Sequence, residues 1–179
     1  MIHQTSISTC TPYWFISDSF RTLQCVEQRE GPPVTAFYAY MSQSFKALSN
    51  NQPFRFDAVQ TNLGNGYERK TGVFTAPSAG VYAFSWTIHA SGFHHSGSSG
   101  QYGETAAVLV QNGVNKGTIY ADTETINDDD SATGFAILSA RKGDKFQIIS
   151  LGPGQGAFYS TYNNGRTSFS GYRIAWISL

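Results

Sequence analysis

The sequence predicts an all-β fold, a sandwich or barrel-like jelly roll, and three observations lead there. Of 179 residues, 40% are hydrophobic and 15% aromatic, only 13% are charged, and 18 are glycine. A ring-rich, weakly charged chain has the apolar surface for a core and is the reverse of a disordered composition. From Val34 onward apolar residues recur at every second position, the period of a pleated strand. Turn signals of Gly, Asn, Asp and Pro punctuate that stretch at roughly ten-residue intervals, with no helical window of comparable strength.

The elements follow in order. Residues 34–41, VTAFYAYM, alternate and are rich in β-formers. FRFDAV, 54–59, places Phe54 and Phe56 on one face. In 71–86, TGVFTAPSAGVYAFSW, the turn at Ala76-Pro77-Ser78-Ala79-Gly80 ends one strand and aims the next. That next strand carries Tyr82, Phe84, Trp86 and Ile88 on one face and Val81, Ala83, Ser85 and Thr87 on the other. Rings at every second position bury enough apolar area, at about 25 cal/mol per Å², to be worth a few kcal/mol each, so the face reads as core. Residues 105–111 and 114–120 are split by Asn112-Gly113, the strongest short hairpin signal, because both residues accept positive φ. Residues 134–140 and 145–151 are joined by Arg141-Lys142-Gly143-Asp144. Residues 156–162 and 168–179 flank Asn163-Asn164-Gly165. The expected total is about eight to ten short strands.

Gly31-Pro32-Pro33 sets residues 1–33 apart as an N-terminal extension, and 34–179 read as the globular domain. Residues 14–30 are expected to make a short helix with Phe15, Leu23 and Val26 as apolar contacts. Cys10 and Cys25 are the only cysteines, too few for a disulfide framework or a four-ligand zinc site. They form a disulfide with each other, pair between chains, or stay free. Twelve basic residues balance twelve acidic ones, so no cationic excess exists to hold a phosphate backbone, and nucleic acid is excluded as a partner. No apolar run reaches the ~18 residues of a membrane helix. The first twenty residues lack the basic and apolar regions of a signal peptide, so either the protein is not secreted or the chain begins after its signal.

The ring pattern belongs to a longer spacing: Phe56, Asn62, Tyr67, Phe74, Gly80, Tyr82, Phe84 and Trp86. This resembles the signature of the C1q globular-head domain. That signature usually ends in Phe or Tyr; Trp86 keeps the ring. PVTAFYAY, VLVQNGV, SATGFAILSARKGD and TSFSGYRI also look like strands of that family, so the resemblance covers about residues 34–179. It implies a ten-strand jelly roll of the tumour-necrosis-factor type that packs as a homotrimer. A sheet with rings on both faces has more apolar surface than one sandwich hides, and Phe37, Tyr159, Tyr172 and Trp176 are the candidates for the second face.

Three segments are candidates for binding chemistry. The acidic run YADTETINDDD holds Asp122, Glu124, Asp128, Asp129 and Asp130. It reads first as a solvated loop, and its spacing is not that of an EF-hand. Calcium-binding C1q-like heads carry two Asp at the separation of Asp122 and Asp130, which the resemblance makes calcium ligands. SGFHHSGSSGQYGE, 91–104, is a Gly/Ser-rich stretch between strands that reads first as a flexible exposed loop; as part of a binding rim, Phe93, His94, His95 and Tyr102 would offer rings and polar tips to a sugar. Residues 152–168 bring Tyr159, Tyr162, Asn163 and Arg166, rings to stack on pyranose faces, an amide for hydroxyls and a forked donor for a sialate or other anion. No nucleophile elbow, metalloprotease helix or phosphate loop occurs, so catalysis is not expected, and no Asn-x-Ser/Thr sequon is present.

The resemblance implies a secreted, non-enzymatic recognition protein. The expected function is an innate-immune lectin that binds microbial or sialylated glycans multivalently through a homotrimer. The alternatives are an extracellular protein-binding ligand, cytokine-like or a cell-adhesion organiser, and a matrix component.

Overall fold

The computed structural model describes residues 33–46, 49–91, 103–123, 129–152, 157–163 and 165–176. Cys10, Cys25, the expected helix of 14–30, and Phe93, His94, His95 and Tyr102 lie outside the described residues.

The described residues form twelve strands in two antiparallel sheets. In chain order these are β1 Ala36–Tyr40, β2 Phe45–Lys46, β3 Ala58–Leu63, β4 Tyr67–Glu68, β5 Val73–Thr75, β6 Gly80–Ser91, β7 Gly103–Gln111, β8 Val114–Thr123, β9 Asp129–Ala140, β10 Lys145–Leu151, β11 Ala157–Phe158 and β12 Ser168–Ala175. The seven-stranded sheet runs β2-β11-β6-β12-β1-β3, with β9 on the free edge of β6. The five-stranded sheet runs β4-β5-β10-β7-β8. This is the two-layer sandwich that the alternation predicts.

Strand β6 is the spine, because its twelve residues pair with β9 along their whole length and with β12 and β11 on the other edge. Its inward face carries Tyr82, Phe84, Trp86 and Ile88, all buried. Phe37, Phe54, Phe56, Tyr67, Phe74, Phe146, Phe158 and Phe169 complete the core. Phe84 meets Phe146 across the two layers at 4.3 Å, and Phe37 stacks on Phe74 at 4.7 Å. Gly171 lets β12 pass beneath these rings, since a Cβ there would lie 2.6 Å from Phe84 and 2.8 Å from Phe37. The Asn112-Gly113 hairpin has positive φ at both residues, 51° and 81°, as its sequence requires.

Three expectations are corrected. Phe54 and Phe56 share the core but are not in a strand; β3 begins at Ala58. Pro53 forms only an isolated bridge with Ile149, and beyond it the backbone of 54–56 is held by Phe54 N–H to Ile148 C=O at 2.9 Å and by the Tyr67 hydroxyl. Of 156–162 only Ala157–Phe158 pair as a strand. Phe37 is not on a second apolar face. It is 3% exposed and points inward, and its strand neighbours Ala36, Tyr38 and Tyr40 have the opposite parity. A one-residue error in phase moves a side chain to the other face.

The strand register also gathers the loop-bearing ends. Ser91, the last residue of β6, is flanked by Asp129 of β9 and Ala157 of β11. Gly103 of β7 pairs with Thr123 of β8. The strands that border 92–102, 124–128 and 153–156 therefore end at the same pole of the sandwich, where β1 also ends at Tyr40.

Candidate functional site

The eight spaced signature residues are scaffold. Asn62 closes the turn before β4: its amide nitrogen donates to Tyr67 C=O at 2.9 Å and its amide oxygen accepts Tyr67 N–H at 3.1 Å. The Tyr82 hydroxyl donates to Ser78 C=O at 2.8 Å, fixing the turn that launches β6. Gly80 lets Ala175 approach, with room of only 2.5 Å between a built Cβ and that carbonyl. Trp86 fills the space over Gly117 and Gly134; a Cβ on Gly134 would sit 2.3 Å from the indole. Its buried Nε1–H has no partner among the described residues.

Binding chemistry collects instead around 157–168. A cavity of about 170 Å³ is lined by His89, Ala90, Asp129, Asp130, Ser131 and Tyr159. His89 is outward on β6, two residues from its end, and burial pushes its imidazole below the ordinary value. The segment from Tyr159 is laced to it: Tyr159 N–H donates to His89 C=O at 2.8 Å, His89 N–H donates to Thr167 Oγ1 at 3.1 Å, and Thr167 Oγ1 donates to Tyr159 C=O at 2.7 Å. Gly165, at φ 114°, lies against the imidazole, where a Cβ would come within 2.5 Å. Beyond it Arg166 lays its guanidinium over the Tyr40 ring at 3.8 Å, with the Tyr162 ring 5.8 Å away. Tyr162 is 89% exposed and Asn163 is exposed.

Of the expected site residues, the structure puts Tyr162 and Asn163 on the turn closed by Thr161 and Gly165, sets Arg166 just after it with its guanidinium 5.8 Å from the Tyr162 ring, and places Asp130 with Tyr159 in the cavity. Asp130 Oδ1 accepts the Ser131 N–H at 2.7 Å. Asp122 sits on β8 opposite Glu104, and only its backbone is described. Among the described residues no three His, Cys, Asp or Glu side chains come together to hold a metal ion. His89 and Tyr40 were not singled out in the sequence. The available signal was parity: a titratable or aromatic residue on the outward register at a strand's loop end.

A second feature lies on the outer face of the seven-stranded sheet. Ile137, Ala83, Tyr172, Ala36 and Leu63 are successive cross-strand partners over β9, β6, β12, β1 and β3. Ile137 is 57% exposed, Tyr172 52% and Leu63 53%. Phe135, Tyr38, Ile174 and Trp176 are exposed as well. At about 4.8 Å between strands this row spans about 19 Å, with Ile137, Tyr172 and Leu63 as its exposed side chains.

The C1q domain family model matches residues 36–174, which spans the sandwich from its first strand to its last. The chain belongs to the C1q domain family. Among curated relatives, the mouse complement C1q tumor necrosis factor-related protein 3 is 30% identical over 78% of the chain and 50% of its own length. The mouse collagen alpha-1(X) chain is 29% identical over 81% of the chain and 19% of its own length. The chain thus spans half or less of these relatives. Among solved structures, the globular domain of zebrafish complement 1qA superposes with a TM-score of 0.59 at 22% identity, covering 80% of this chain and 98% of that one. Eiger TNF from S. frugiperda superposes with a TM-score of 0.63 at 13% identity, covering 83% and 97%. Both show the C1q and tumour-necrosis-factor jelly roll. No helix among the described residues is long and apolar enough to cross a membrane.

Proposed function

We propose that this C1q domain is the head of a secreted, non-enzymatic recognition protein that works as a homotrimer and binds glycans, microbial or sialylated, at its loop-bearing pole. The observation that carries the reading is the apolar row from Ile137 to Leu63. Exposed apolar side chains gathered on one sheet face mark an interaction surface, and C1q family members form trimers. Three copies would present three sets of Tyr159, Tyr162, Asn163 and Arg166 at one pole. Linked engagement of weak sites raises avidity without any new contact.

Calcium belongs to the proposal through Asp122 and Asp130. Carboxylate oxygens are the donors a hard cation takes, and Asp130 lines the cavity beside Tyr159. Bound there, the ion would tie the strand ends that border 124–128.

The test is the solution mass of the protein followed by a glycan array run with and without chelator. A trimer that binds particular sugars supports the reading. A trimer that is silent on the array yet holds one protein tightly supports the rival, a cytokine-like or adhesion ligand. The tumor necrosis factor-related relative and the Eiger TNF likeness favour that rival. The collagen relative favours a matrix role.

A further inference from the structure

We infer that Arg166, braced on Tyr40 and facing Tyr162, is an anion fork that selects sugars bearing a carboxylate over their neutral counterparts. This rests on the glycan reading above and names the ligand class for the same pole.

The geometry argues it in three steps. Tyr40 covers one face of the guanidinium at 3.8 Å. A guanidinium stacked on a ring keeps its N–H edges in plane and free, and those edges match a carboxylate two bonds at a time. Among the described residues Arg166 forms no ion pair, so its charge is not already spent on a protein carboxylate. The cation is also pre-positioned. Gly165 C=O accepts Thr161 N–H at 3.0 Å, Gly165 lies on His89, and Thr167 is tied to both His89 and Tyr159. A group fixed before binding loses less freedom when the ligand arrives.

The neighbours define what carries the carboxylate. Tyr162 lies 5.8 Å from the guanidinium and is 89% exposed, an open ring face beside the charge. Asn163 adds an exposed amide with both donor and acceptor. Ring, amide and fork on one turn suit the apolar face, hydroxyls and acid of one pyranose. An acidic peptide would use the fork and leave the ring idle.

Polymer-displayed methyl β-glucuronide and methyl β-glucoside, which differ only in carboxylate against hydroxymethyl, give the direct comparison. The trimer should prefer the glucuronide by about tenfold at low salt, the scale of a charge-assisted pair, and lose most of that preference near 1 M salt. Arg166→Gln should abolish the preference while the solution mass stays unchanged; Arg166→Lys should keep part of it. Tyr162→Ala should weaken both sugars alike. A preference that survives Arg166→Gln overturns the inference. So does a drop in mass for that variant, which would make Arg166 a subunit contact, and so does tighter binding of polyglutamate than of the glucuronide. Equal binding of both sugars sinks this inference alone, whereas no binding of any array sugar by the native protein sinks the lectin reading beneath it.

Discussion

The Tyr67 hydroxyl serves both backbone groups of Phe56, accepting its N–H at 3.2 Å and donating to its C=O at 3.0 Å. Phe56 has no ladder partner at this point, so one side chain stands in for a strand. Burial raises the phenol's pKa, keeping the hydroxyl protonated and able to donate. Tyr67→Phe keeps the ring against Phe37 and Phe169 but strands two buried backbone groups. Each unsatisfied group costs about 1–3 kcal/mol, so the variant should lose about 2–6 kcal/mol. Urea unfolding at fixed protein concentration should show a lower midpoint with an unchanged slope. A loss under 0.5 kcal/mol, an order-of-magnitude threshold set by that per-group cost, would show that Phe56 does not depend on this hydroxyl.

Trp86 and Gly134 should behave as a coupled pair. A Cβ at position 134 runs into the indole at 2.3 Å, so Gly134→Ala alone should cost about 1–3 kcal/mol through overpacking. Trp86→Phe clears that space and deletes the Nε1–H that has no partner among the described residues, offsetting part of the lost packing. In the Trp86→Phe background the Gly134→Ala cost should shrink by at least about 1 kcal/mol, read from a double-mutant cycle. Additive losses would mean the two residues do not share the volume.

The sandwich was legible in the sequence because its two devices are local. Parity along β6 marks the core, and Asn112-Gly113 fixes a hairpin without reference to anything distant. Phe37 was misplaced because alternation gives two faces but not their sign; the sign comes from the register of β1 against β12 and β3. The strand expected at 54–59 failed at Phe56 because the partner of its backbone is a side chain eleven positions away that no periodicity encodes. At the candidate site, Tyr162, Asn163 and Arg166 were visible as residue types on one turn. Tyr40 and His89 were not, since each reaches that turn only through the folded sheet.

Acid should weaken the fold in two steps. Burial lowers the pKa of His89 below the ordinary 6.5, so the unfolded chain binds its proton first. Stability should fall as pH drops through 6.5 toward the depressed folded value, and then level off. Asp129 and Asp130 line the same cavity. A second loss belongs to Asp144, whose pKa is lowered by the Asn112 side chain and the Arg141 N–H. Its contribution is present above 3.8 and disappears as pH falls through the folded value below that. Thermal midpoints from pH 8 to pH 3 (roughly the span over which His and carboxyl groups titrate) should show both limbs. His89→Gln should flatten the first, and Asp144→Asn should reduce the second, which it shares with Asp57, whose pKa is also lowered, its burial being outweighed by the Ser42 hydrogen bonds; a first limb that persists in His89→Gln assigns it to another group.

Assembly is testable on the sheet face. Ile137 and Tyr172 flank Ala83 across β9, β6 and β12, and both are more than half exposed in the single chain. If three copies share this row, a carboxylate placed in it must be desolvated against a partner's apolar surface, which no local rearrangement avoids. Ile137→Asp should therefore shift the solution mass from three protomers to one at micromolar concentration, with the β-sheet circular dichroism retained. Val114→Asp is the control, because Val114 is equally exposed at 59% but belongs to β8 of the other sheet. It should leave the mass unchanged. Avidity should follow mass: the Ile137→Asp protomer should keep its single-site affinity and lose the multivalent gain on a glycan-coated surface. A native protein that sediments as one protomer at that concentration, or an Ile137→Asp variant that still sediments as three, removes this face from the assembly.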